Sequence, residues 1–76
     1  MFLITRTYTT GEADEDGKMQ AVRRLDDCRV ETSLEQTEQL MDRIRIGDHR
    51  VAGCRVFELT VSEDGTPTLG KELTPG

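Results

Sequence analysis

Apolar and polar residues alternate along the first ten positions. Phe2, Ile4 and Tyr8 share one parity, while Thr5, Thr7 and Thr9 share the other. A period of two built from aromatic and β-branched residues predicts a half-buried strand over 2–10, with the threonines toward water. Leu3 breaks the alternation and is expected near an edge or an interface. In "KMQAVRRLDDCRVE", Met19, Ala21 and Leu25 fit one face of a strand, although Met19, Val22 and Leu25 also fit helical spacing. The preceding Asp-Gly turn favours a strand over 18–30 that closes a hairpin onto the first. Cys28 and Val30 have the opposite parity to Leu25, which predicts a bulge or break at Asp26-Asp27.

The pattern then changes period. In "TSLEQTEQLMDRIRIG", Leu34, Thr37, Leu40, Met41 and Ile44 fall on one side at helical spacing. Thr32 with Glu35 matches a capping box, Arg43 and Arg45 suit the last turn, and Gly47 suits a left-handed stop. These signals predict a helix over 33–46. Alternation resumes in "VAGCRVFELTVS", where Phe57, Leu59 and Val61 oppose Val56, Glu58 and Thr60. A second Asp-Gly turn leads to a short strand over 68–73, in which Pro67 and Lys71 discourage further pairing. The predicted fold is α+β: a two-layer ββαββ unit with an antiparallel four-stranded sheet in the order 2-1-3-4 and one helix on one face. Residues 1–73 form the single domain, and 74–76 are expected to fray.

With 76 residues, of which 34% are apolar, and no Trp, the core is thin. It should hold roughly a dozen side chains, few enough that burying the uncovered sheet face against a partner becomes an attractive source of stability. The net charge of −5 and the absence of a basic run longer than Arg23-Arg24 argue against direct nucleic-acid binding and against anionic membrane surfaces. "MFLITRTYTT" offers neither a leader nor a membrane span, so a cytoplasmic location with reduced cysteines is expected. Eight Arg against two Lys, with no Asn, indicate GC-rich coding sequence of a high-GC bacterium or its phage.

Four places invite a chemical reading. Glu12, Asp14, Asp16 and Gly17 follow the opening ligands and the glycine of a calcium loop, but Arg23 stands where the closing bidentate acid belongs. A solvated hairpin turn is the better reading. Cys28 and Cys54 are expected at opposite ends of the sheet, as unpaired and largely buried thiols with too few neighbouring ligands for zinc. Asp48, His49 and Cys54 lie close in sequence, but catalysis needs them in hydrogen-bond contact beside a cavity, and a one-helix sheet offers little concave volume. No catalytic residue, metal, cofactor or small-molecule substrate is therefore expected.

The helix carries the one feature suggestive of recognition. Glu35, Glu38 and Asp42 form an acidic stripe away from the apolar side, and Arg43, Arg45, Arg50 and Arg55 follow it, making the molecule bipolar. The expected function is that of a small non-enzymatic protein-interaction module, such as a phage or mobile-element accessory protein that binds a host protein. One alternative is a homodimer joined through the open sheet face by Leu3, Val22 and Val56. Another is an acidic mimic of nucleic acid that acts through Glu35, Glu38 and Asp42.

Overall fold

The computed structural model describes residues 1–76. The opening alternation runs further than its apolar residues alone suggest: β1 spans Phe2–Ala13 and β2 spans Met19–Glu31. They pair antiparallel from Phe2↔Glu31 to Ala13↔Met19. At the hairpin end Gly17 takes φ 81°, and Asp14 Oδ1 accepts the backbone N–H groups of Asp16 at 3.0 Å and Lys18 at 2.8 Å. The acidic stretch thus closes a turn on itself.

The bulge expected at Asp26-Asp27 lies elsewhere. Thr10 faces Arg23 and Gly11 faces Ala21, so Val22 is the additional residue. At Asp26-Asp27 the ladder is regular because cross-strand side chains hold it. Thr7 Oγ1 donates to Asp26 Oδ1 at 2.7 Å, and Arg6 Nη2 donates to Asp27 Oδ2 at 2.8 Å. The parity conflict is resolved by placing Leu25, opposite Tyr8, on one face and Cys28 and Val30, opposite Thr5 and Leu3, on the other.

Helix α1 spans Leu34–Arg45. Its cap is Ser33, not Thr32: Ser33 Oγ accepts the N–H of Gln36 at 3.2 Å, and the Glu31 carboxylate accepts the N–H of Ser33 at 2.9 Å. An acid at the end of β2 therefore does what Glu35 was expected to do. At the other end Gly47 takes φ 75°, and the Asp48 N–H reaches back to the Arg43 carbonyl at 3.0 Å. Thr37 and Leu40 are buried and Met41 and Ile44 half-buried, whereas Leu34 is exposed and lies off the packed side. A 3₁₀ turn, His49–Val51, leads into β3, Cys54–Val61, and β4 follows at Pro67–Glu72.

The four strands form one antiparallel sheet in the order β2-β1-β3-β4, as the sequence predicts. Pairing of Ile4 with Val56 and of Leu3 with Phe57 decides which side of β3 meets the helix. Val56 is 0% exposed beneath α1, so it does not belong to the open face with Leu3. Phe57, Leu59 and Val61 take that face instead. A β-branched pair, Ile4 with Val56, lets α1 approach the sheet closely, and the larger Phe57 ring stacks outside against Arg55, whose guanidinium carbon is 5.2 Å from the ring centroid.

Cys28 and Cys54 are both free; Cys28 is exposed and Cys54 half-buried. The pairs Asp27↔Arg6 and Arg6↔Cys54 put them at neighbouring levels on opposite faces, not at opposite ends of the sheet. The intervening strand β1 holds them beyond disulfide reach, and their opposite faces separate them further.

The buried apolar core is only Ile4, Leu40, Val51 and Val56, with Phe2, Met41, Ile44, Cys54 and Leu73 packed around it. β3 pairs with β1 only as far as Arg6, so the remainder of the β1–β2 hairpin projects as a two-stranded arm. That arm accounts for the long axis of 55 Å and a radius of gyration of 15.6 Å. A compact chain of this length would have about 11 Å. No helix is long and apolar enough to cross a membrane.

Candidate functional site

The sheet face opposite α1 carries a continuous apolar row. Val30, Leu3 and Phe57 stand side by side across β2, β1 and β3, and Leu59 with Leu69 continues the row toward β4. Val30 is 54% exposed and Leu69 55%. The polar groups beside the row are paired within the chain. Arg55 Nε and Nη2 donate to the two Glu72 carboxylate oxygens, each at 2.8 Å, and Asp26 accepts from Thr7. The bidentate contact with Arg55 holds the Glu72 carboxyl below its ordinary value.

Of the three residues expected to form this contact, Leu3 is in place, half-buried in the middle of the row. Val22 is exposed but lies out on the arm as the bulge residue, and Val56 is in the core. Phe57, Leu59, Leu69 and Val30 are the members that pairing across the strands adds to the row. The alternation of Phe57, Leu59 and Val61 was visible; the face it would take was not.

Glu35, Glu38 and Asp42 are exposed on α1. The stripe is interrupted, because Arg45 Nη1 donates to Asp42 Oδ1 at 2.6 Å. The loop trio is drawn apart: the Asp48 carboxylate turns to arginines, His49 is exposed, and no hydrogen bond joins His49 to Cys54.

On the α1 side the sheet does offer concave volume, contrary to expectation. A recess of about 410 Å³ opens between β1, β2, α1 and the 3₁₀ turn. Its floor is Ile4, Leu40 and Val51, with Cys54 beside them, and its rim carries Arg6, Arg29, Arg43 and Arg50. Asp48 organises two of these. Its carboxylate accepts from Arg50 Nε at 3.1 Å, Arg50 Nη2 at 2.8 Å and Arg43 Nε at 3.1 Å, and also caps the 3₁₀ turn through the Arg50 N–H at 2.9 Å. These bonds, those from Arg50 above all, push the Asp48 carboxyl well below the usual carboxylate range. Asp27 takes one N–H of Arg6, whose guanidinium also lies 4.2 Å from the Tyr8 ring centroid. Arg6 shares the parity of Ile4, so its place beneath the helix could be read from the sequence; Arg29 arrives only through the pairing with Ile4.

Compared with known proteins, the chain matches no family model, no curated protein and no solved structure.

Proposed function

We propose that this chain is a small protein-interaction module that works as a homodimer, joined through the sheet face opposite α1. The observation that carries this reading is the row of Val30, Leu3, Phe57, Leu59 and Leu69 on the sheet face that no helix covers. The chain exposes 5893 Å². A compact monomer of its mass would expose about 4,700 Å². The excess is larger than the ~800 Å² that a standard interface takes from each partner.

A second copy suits this face on charge as well. Two chains of net charge −5 repel, and contact is least costly where the local charges cancel. The Arg55–Glu72 pair makes this such a place, and the Asp26 carboxylate, which keeps its charge, is held within the chain by the Thr7 hydroxyl. A twofold arrangement sets the same apolar row against itself. Glu35 and Glu38 then remain on the outside of the dimer, free to meet a basic third party such as a host protein.

Sedimentation equilibrium across the micromolar range tests the reading. The wild type is expected at dimer mass and Leu3→Glu at monomer mass, with Glu35→Gln unchanged. A wild type that sediments as a monomer throughout rejects it.

A further inference from the structure

We propose that the arginine-rimmed recess beneath α1 is a binding site for a small phosphate monoester carried on an apolar body. It lies on the opposite side of the sheet from the dimer face, so the two proposals stand or fall separately.

The charge count comes first. Arg6, Arg29, Arg43 and Arg50 converge on one recess, and the acids bonded to them there are Asp27 and Asp48. The local balance is two positive charges, in a chain whose total is −5. Convergent cations over an apolar floor repel one another more strongly than they would in open water. An anion entering the recess relieves that repulsion. A phosphate monoester, with about −1.5 to −2 charge at neutral pH, matches the surplus; a single carboxylate matches half of it.

Donor geometry points the same way. Each guanidinium has five N–H donors. Arg29 makes no ion pair or side-chain hydrogen bond within the chain, Arg6 commits only Nη2, and Arg43 commits only Nε. The terminal nitrogens of Arg43 and all those of Arg29 remain available for planar, bidentate recognition of oxyanion oxygens. Asp48 acts as a positioning residue. With its side chain 8% exposed, it holds Arg43 and Arg50 from behind and leaves the recess itself to the ligand. The floor of Ile4, Leu40 and Val51, 5–7% exposed, leaves a small apolar surface at the base of the recess, and about 410 Å³ accommodates a ring together with a phosphate group.

The test is a titration of the ¹⁵N-labelled protein with phenyl phosphate, inorganic phosphate and benzoate, followed by amide chemical shifts. Phenyl phosphate is expected to give saturable shifts centred on Arg29, Arg43, Arg50 and Cys54, with inorganic phosphate binding more weakly at the same amides. Arg29→Gln, which breaks no bond of the fold, is expected to weaken phenyl phosphate about tenfold or more. Arg45→Gln, on the far side of α1, should leave the affinity unchanged. Absence of saturable shifts at these amides overturns the site. Equal binding of benzoate overturns the dianion assignment, and equal weakening by Arg45→Gln reduces the effect to general charge.

Discussion

The hydroxyl of Thr74 accepts a hydrogen bond from the backbone N–H of Val56 at 2.8 Å, at the residue with no exposed surface. The register between β3 and β4 shifts between Phe57 and Leu59, and beyond that shift a side chain stands in for the ladder. The Leu73 N–H completes the junction by donating to the Val56 carbonyl at 2.7 Å. Thr74, in the stretch expected to fray, thus secures the centre of the core. Thr74→Val leaves a buried N–H without an acceptor and is expected to cost about 1–3 kcal/mol, with Thr74→Ser close to wild type. Urea denaturation of the two variants separates the hydroxyl from the methyl group.

Gly53 governs how β3 enters the sheet. Its φ is 80°, and a Cβ there would stand 2.2 Å from the Thr7 carbonyl oxygen. Neither the backbone conformation nor the space tolerates a side chain, and the Gly53 carbonyl itself accepts the Thr7 N–H at 3.2 Å. Gly53→Ala is expected to destabilise by about 2 kcal/mol or more. Gly65→Ala, also at positive φ but with nothing within 4 Å, should cost about 1 kcal/mol. Thermal melts of both report the difference. Equal costs would mean that strain alone, and not the approach of β1, sets the price at Gly53.

The element order, the helix and the two hairpins were legible because each rests on local signals: period-two runs, a run at helical spacing, and Asp-Gly turns. The sheet order followed from placing the two most apolar strands, β1 and β3, at the centre. What was not legible depends on pairing between distant residues. Whether Val56 or Phe57 meets the helix is decided by which of them faces Ile4, and one step of register exchanges them. The bulge at Val22, in place of Asp26-Asp27, turns on cross-strand partners at Thr7 and Arg6 that no single segment reveals. The recess shares that origin. Arg43 and Arg50 were visible as a basic cluster and Arg6 shares the parity of Ile4, but Arg29 joins them only once β1 and β2 are paired beneath α1.

A core with four buried apolar residues responds unevenly to substitution. Leu40 is held between helix and sheet, and Leu40→Ala is expected to cost about 2–5 kcal/mol, enough to unfold much of the population. Thr37, buried beside it, should respond differently. Its hydroxyl donates to the Ser33 carbonyl at 2.8 Å, but that carbonyl also receives the Thr37 N–H at 3.2 Å. Removing the hydroxyl therefore strands no partner, and Thr37→Val is expected to lie within about 1 kcal/mol of wild type. Chemical denaturation at one protein concentration compares the two variants.

Acid should weaken the fold through Asp48 and Asp64. Hydrogen bonds from Arg50, then from Arg43, lower the folded-state Asp48 carboxyl, while Ser62 and the Thr66 N–H hold Asp64 down to about 2. In the unfolded chain both titrate near the ordinary value of about 3.9. As pH falls, the unfolded state takes up these protons first, so the stabilisation is fully present above that value and is lost as pH drops toward 2. Asp48→Asn removes one of the two contributions. Its stability is expected to be lower than wild type at neutral pH, with a shallower decline below pH 4 and a gap that narrows toward pH 2. Urea titrations at stepped pH measure the slopes directly. A variant whose acid limb stays parallel to the wild type's would show that Asp48 serves the 3₁₀ turn through geometry alone, with its charge contact to Arg43 and Arg50 contributing nothing to folding.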